Sequence, residues 1–367
     1  MIDSRLRKLA QILVNYSLEV KPNEWVLLDT HPVAMPLARE VYQVILEAGA
    51  HVTPSLYDDR FEEDFYKYGS DDQLEWISPI RQLAIEKADA LIKLRAADNT
   101  RYLTNINPER QKVRQIAMKD ILETYTKRAA VGDLRWVLTQ YPCSAFAQEA
   151  DMSLREYEDF IFSATFADQS NPVQCWRDVH DKQQHWVDWL AGKKNVVVRG
   201  PCVDLSLSID GRTFINSDGK SNMPSGEIFT GPVESSANGW IKFSYPAIRS
   251  GREVEGVEFE FKEGKVVNAR ANKNEEFLIS QLNLDSGSRY LGEFAIGTNY
   301  RIQRFTKSIL YDEKIGGTMH IAVGRSYPET GGENKSSVHW DFICDMQQDS
   351  EIWVDDELFY RNGKFQV

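Results

Sequence analysis

Six histidines occur among 367 residues, and two of them share one stretch, His320-Ile-Ala-Val-Gly-Arg-Ser-Tyr327 through Ser337-Val-His339-Trp-Asp341. His339 and Asp341 stand two apart, so a strand puts both on one face. Thr318 to Val323 also reads as a strand that runs out at Gly324. A histidine on one strand and a His-x-Asp on another can bring two imidazoles and a carboxylate to one point. That donor set suits Zn, Mn, Co or Fe(II). A buried histidine is more often a satisfied core residue, and His-x-Asp alone is a weak signal. The case therefore rests on carboxylates in glycine-bounded settings elsewhere in the chain. Glu227 leaves a Pro/Gly turn in Asn222-Met-Pro-Ser-Gly-Glu227-Ile-Phe-Thr-Gly-Pro232, and Glu293 sits among small and apolar residues in Leu291-Gly-Glu293-Phe-Ala-Ile-Gly297. Glu313 precedes the first histidine in Tyr311-Asp-Glu313-Lys-Ile-Gly-Gly-Thr-Met-His320. A glutamate among apolar neighbours is costly to bury unless it is paired or bound to metal. Three glutamates, an aspartate and two histidines exceed the needs of one tetrahedral ion and match two ions bridged by a carboxylate. Such a pair polarises a carbonyl and activates a water, and aminopeptidases are among the enzymes that use it.

Two kinds of texture would have to position these groups. In the first half, strand-like runs alternate with helical ones: Glu24 to Asp29, a helix from Pro36 to Ala48 ending at Gly49, then Ala50 to Tyr57, Ala88 to Leu94 and Leu134 to Leu138. This alternation predicts an α/β domain with a mostly parallel sheet, residues 1–190. There is no GxGxxG, so a dinucleotide site has no support. Residues 151–192 are helical in pattern and carry Trp176, Trp186 and Trp189 with His180 and His185, which read better as a partly exposed helix face than as metal ligands. From Lys193 onward the alternation becomes that of antiparallel sheet, with a hairpin turn at Lys262 to Lys265. Residues 191–367 are therefore expected to form an α+β, β-rich metal-binding domain.

Bulk properties narrow the class. Hydrophobic residues make up 42% and charged residues 27%, and the net charge of −12 argues against a nucleic-acid or membrane-surface partner. Cys143, Cys175, Cys202 and Cys344 form no CxxC pair and read as buried thiols in a reducing compartment. The N-terminal run is helical and broken by charge, unlike a signal peptide, and no stretch approaches a membrane span. A cytoplasmic protein is expected.

The motifs resemble the aminopeptidase T / aminopeptidase S family of metallopeptidases, also described as leucyl aminopeptidase-like or thermophilic metalloproteases. The likeness is carried by Asn222 to Pro232, Leu291-Gly-Glu293, the Asp-Glu ahead of His320, His320-x-x-x-Gly-x-x-Tyr327 and His339-x-Asp341. Leu9 to Leu18 and the segments at Tyr141-Pro and Ala150 to Leu154 extend it over most of the chain. The resemblance implies that Glu227, Glu293, Glu313, His320, His339 and Asp341 bind two divalent ions (Zn, Co, Mn or Mg). It implies that Glu293 bridges them, and that Tyr327 ligates or hydrogen-bonds a developing oxyanion. It further implies a cytoplasmic homodimer whose N-terminal domain helps enclose a cavity, and the release of N-terminal residues from peptides by a two-metal-activated water. Two departures stand out: a short loop, Ser326 to Lys335, and a different spacing from Glu313 to His320. Within that loop Glu329 and Glu333 could face a substrate amine, although solvated loop carboxylates are the simpler reading. An alternative keeps His320, His339 and Asp341 as the 2-His-1-carboxylate set of a non-haem Fe(II) ring-cleaving dioxygenase, which would have no need of Glu227 and Glu293. A third reading, a non-catalytic binding protein on the same scaffold, would show no tightly bound metal.

Overall fold

The computed structural model describes residues 3–367, which form two compact units. One runs through Trp176 and adds Gly219–Pro224; the other holds Arg177–Asp218 and Ser225–Val367. The helix Pro172–Leu190 contributes residues to both.

The first unit is built on a parallel sheet of β1 (Trp25–Thr30), β2 (His51–Leu56), β3 (Ala90–Arg95) and β4 (Arg135–Gln140), in the order β2-β1-β3-β4. β1 is buried from Val26 to Thr30, which is why Val26, Leu27 and Leu28 follow one another without the apolar/polar alternation of a half-exposed strand. The helix Met35–Glu47 buries Leu37, Ala38, Val41, Val44 and Ile45, at helical spacing. It ends at Gly49, whose φ of +76° suits the left-handed residue that stops a helix. Asn222–Met223 adds a fifth, parallel strand beside β4. Two residues are too few to carry a periodicity, so this return of the chain is silent in the sequence.

The second unit contains two larger sheets. One has eight strands and includes the hairpin Glu258–Lys262/Lys265–Arg270, turned by Glu263 and Gly264 with positive φ at both. The other is antiparallel: β5 (Glu227–Thr230), β6 (Leu291–Gly297), β7 (Thr318–Gly324) and β8 (His339–Asp345), in the order β8-β7-β6-β5 with Ile215–Ser217 at the edge. One face of this sheet presents Ile228, Phe294, Ile296, Met319, Ile321, Val323, Trp340, Phe342 and Cys344 to the unit's hydrophobic core. The opposite face carries the candidate site.

Candidate metal centre

The register puts five of the six expected ligands on that opposite face. Gly297 pairs with Glu227, and Ala295 pairs with His320 on β7. Ala322 lies between Glu293 and Asp341, and Gly324 pairs with His339. Because side chains alternate, all of these point the same way. Ala295, Gly297, Ala322 and Gly324 floor the space between the donors with small side chains. At Gly324 (φ +96°) a Cβ would stand 2.1 Å from the Val338 carbonyl oxygen, so a larger residue cannot enter the strand beneath His339. The sixth residue, Glu313, comes from the end of the short helix Ile309–Asp312.

The two carboxylate oxygens of Glu293 face different imidazoles. Oε1 lies 3.5 Å from His320 Nε2 and Oε2 lies 3.3 Å from His339 Nε2. His339 Nε2 is also 3.3 Å from Asp341 Oδ1, and His320 Nε2 is 3.6 Å from Glu227 Oε2. The donors form two sets, Glu293/His339/Asp341 and Glu313/His320/Asp341, each with its ligand atoms within 4.8 Å of one another. Tyr327 packs edge-on against both His339 and Phe229. Glu329 and Glu333 are exposed on the loop.

This donor set fits divalent cations. Glu227, Glu293, Glu313 and Asp341 place four carboxylates against a single ammonium, that of Lys314, whose side chain is fully buried. Glu227 Oε2 is buried without a hydrogen-bond partner, which costs free energy unless a cation meets it. The imidazoles register the same imbalance. Burial alone would lower the His320 pKa, yet Glu293 and Glu227 push it up to about 9. Burial would likewise lower His339, but Asp341 and Glu293 push it up to about 11. Burial raises Glu313 to about 7 despite the Lys314 ammonium beside it. Burial would also raise Glu293 and Asp341; the imidazoles more than offset this, and both lie below the ordinary carboxylate range. Without cations, protons on histidine supply the positive charge that the carboxylates demand.

The profile of the thermophilic metalloprotease (M29) family matches residues 2–365. The chain belongs to that family. Aminopeptidase 2 of Geobacillus stearothermophilus is 26% identical over 93% of this M29 chain and 92% of its own length. Aminopeptidase AmpS of Bacillus subtilis is 25% identical over 98% of each, and Aminopeptidase T of Thermus thermophilus is 25% identical over 98% of this chain and 95% of its own. A solved structure of wild-type AmpT from Thermus thermophilus shares the fold, with a TM-score of 0.86 and 22% identity over 99% of both chains. The family is one of metal-dependent peptidases, and the ring-cleaving dioxygenase alternative finds no support among these relatives.

Three positioning groups in the M29 chain escape a reading by residue type. His339 Nδ1 donates to the Arg325 carbonyl at 2.7 Å, leaving Nε2 to face Glu293 and Asp341. Asp285 fastens the approach to β8: its carboxylate accepts from the Ser337 N–H (2.8 Å), the Ser337 hydroxyl (2.7 Å) and the Ser336 hydroxyl (3.1 Å). Lys314 hydrogen-bonds Glu313 and lies 3.6 Å from Glu227 Oε1. By contrast His180 is half-exposed and pairs with Asp218 at 2.7 Å, and His185 is exposed; both lie on the helix Pro172–Leu190 and neither is among the donor sets of the centre.

Proposed function

We propose that this chain is a metal-dependent aminopeptidase that hydrolyses the first peptide bond of peptides through a two-metal-activated water. The observation that carries this reading is the Glu293 carboxylate, which offers one oxygen to each imidazole, as a bridging ligand must. Glu293, His339 and Asp341 would hold one ion, and Glu313, His320 and the second oxygen of Glu293, with Asp341 and Glu227 beside them, the other. When bound, two divalent cations polarise the scissile carbonyl and activate a water near neutral pH.

The chain's own groups supply the remainder. Glu227, with a buried oxygen that lacks a partner, and Glu313 are the carboxylates available to carry the water's proton to the leaving amine. Tyr327 keeps its hydroxyl proton through the neutral range, since a phenol ordinarily titrates near pH 10. It can therefore donate to the oxyanion that develops on the attacked carbonyl. A cytoplasmic homodimer belongs to the same reading and draws on the family likeness. Among the described residues no helix is long and apolar enough to cross a membrane.

The test is hydrolysis of a panel of aminoacyl-p-nitroanilides by chelator-stripped protein reloaded with Zn²⁺, Co²⁺, Mn²⁺ or Mg²⁺. Metal-dependent release of nitroaniline that Glu227→Gln and Glu293→Gln abolish supports the reading. No turnover with any of these ions, on the panel or on unmodified di- and tripeptides, overturns it.

A further inference from the structure

The two donor sets share Asp341 but differ in their surroundings. Glu293 and His339 face each other and Asp341. Glu313 and the neighbouring Glu227 are joined by Lys314, whose ion-pair partners among the described residues are these two carboxylates. Its side chain has no exposed surface. The helix end that carries it is fixed by Asp312, which accepts from the Thr306 N–H at 2.7 Å and the Thr306 hydroxyl at 2.8 Å. An ammonium has three donors and no lone pair, so Lys314 cannot ligate a metal while it holds Glu313. It can only act on one through charge.

We propose that Lys314 is a resident cation that makes the two halves of the centre unequal, so that the Glu313–His320 half binds its divalent ion more weakly and releases it first. This rests on the two-metal reading above. Like charges at near-contact distance inside a protein repel far more strongly than in water. Two of the carboxylates that would neutralise an ion in this half are already shared with the ammonium. The Glu293–His339 half carries no such competitor in contact. Occupancy of the weaker half then sets the fraction of active enzyme, and activity follows the free metal concentration.

The sign of a substitution separates this role from simple scaffolding. If Lys314 repels the second ion, removing its charge tightens that ion. If Lys314 only fastens Glu227 to Glu313, removing it loosens both donors and weakens the ion. The experiment titrates chelator-stripped protein with Zn²⁺ by calorimetry against a competing chelator, and counts ions per chain by mass spectrometry after gel filtration. Wild type, Lys314→Gln and Lys314→Arg are compared, with Lys262→Gln from the hairpin as control. Wild type should bind two ions, the second at least about tenfold more weakly. Lys314→Gln should tighten the second ion by at least about tenfold with little change in the first, while Lys314→Arg and Lys262→Gln keep the inequality.

Equal affinities in wild type overturn the proposal and leave the two-metal reading standing. So does a weaker second ion in a Lys314→Gln protein whose metal-loaded form melts cooperatively. If Lys314→Gln cannot be purified folded, Lys314→Arg decides: loss of the inequality with the charge retained overturns the proposal, and its retention supports it. Wild type that binds no Zn²⁺, Mn²⁺ or Co²⁺ overturns the two-metal reading itself.

Discussion

Each unit contains a buried cluster of acids and bases, and the two clusters are balanced differently. In the first unit Asp29, at the end of β1, receives Arg81 at both oxygens, 3.0 and 2.8 Å away. Asp59 accepts from the Asp98 N–H at 3.1 Å and stands 3.8 Å from His31. Each carboxylate there has its own cation or N–H. In the second unit four carboxylates converge on one lysine and two imidazoles. The residue types are alike; the charge balance is not. A cluster whose charges close on themselves is scaffolding, and one that leaves negative charge over is built to receive a cation.

The sharpest way to break this contrast is to remove one carboxylate from each cluster. Glu293→Gln should lower kcat by at least about a thousandfold and leave fewer than two ions per chain. Asp29→Asn should keep kcat and metal content and lose about 2 kcal/mol of stability, read by denaturant unfolding. Metal loss in Asp29→Asn would end the distinction. Next in size, Tyr327→Phe should lower kcat about a hundredfold while the metal count stays at that of wild type, because an oxyanion donor acts on the reacting carbonyl. A parallel loss of metal would make Tyr327 a ligand instead.

The pH dependence follows from the histidines. In metal-free protein their folded pKa values, about 9 and about 11, lie above the unfolded value near 6.5. The stability they contribute is fully present below the unfolded value and is lost as pH rises through the folded ones. The Tm of metal-free protein should therefore fall by several degrees between about pH 7 and 10, while metal-loaded protein, with neutral imidazoles, changes little. Asp285 gives the opposite sign and a smaller effect. The Ser337 N–H and hydroxyl hold its carboxyl below the ordinary range, so its contribution is present above the unfolded value near 3.9 and is lost in acid. Asp285→Asn should cost about 2 kcal/mol at pH 7 and little at pH 3. An equal cost at both would assign the loss to packing.

The centre is unevenly legible in the sequence. Period-2 alternation set His339 beside Asp341 and gave Glu293 and His320 strand settings, because β6, β7 and β8 are long enough to show a period. The apolar alternates that form the opposite face, Phe294, Ile321 and Phe342 among them, are identified by the structure. Lys314 was missed because a lysine beside a glutamate looks like any surface pair until its burial is known. The Arg325 carbonyl belongs to the backbone and has no residue signature. Asp285 acts across a sequence separation of 52 residues. Asn222–Met223 joins the first unit's sheet over two residues, below the length at which alternation can be counted.

Parity, more than composition, is what this centre must inherit. The core and most of the donor set are two sides of the same strands, so one residue inserted within 291–297, 318–324 or 339–345 would turn acids into the core and aromatic rings toward the candidate centre. A two-residue insertion restores the face but carries a ligand about 7 Å along its strand, beyond reach of its partners. Change in chain length is thereby confined to connections such as residues 325–338. Those connections can lengthen, shorten and alter what approaches the centre, while the strands that hold it keep count.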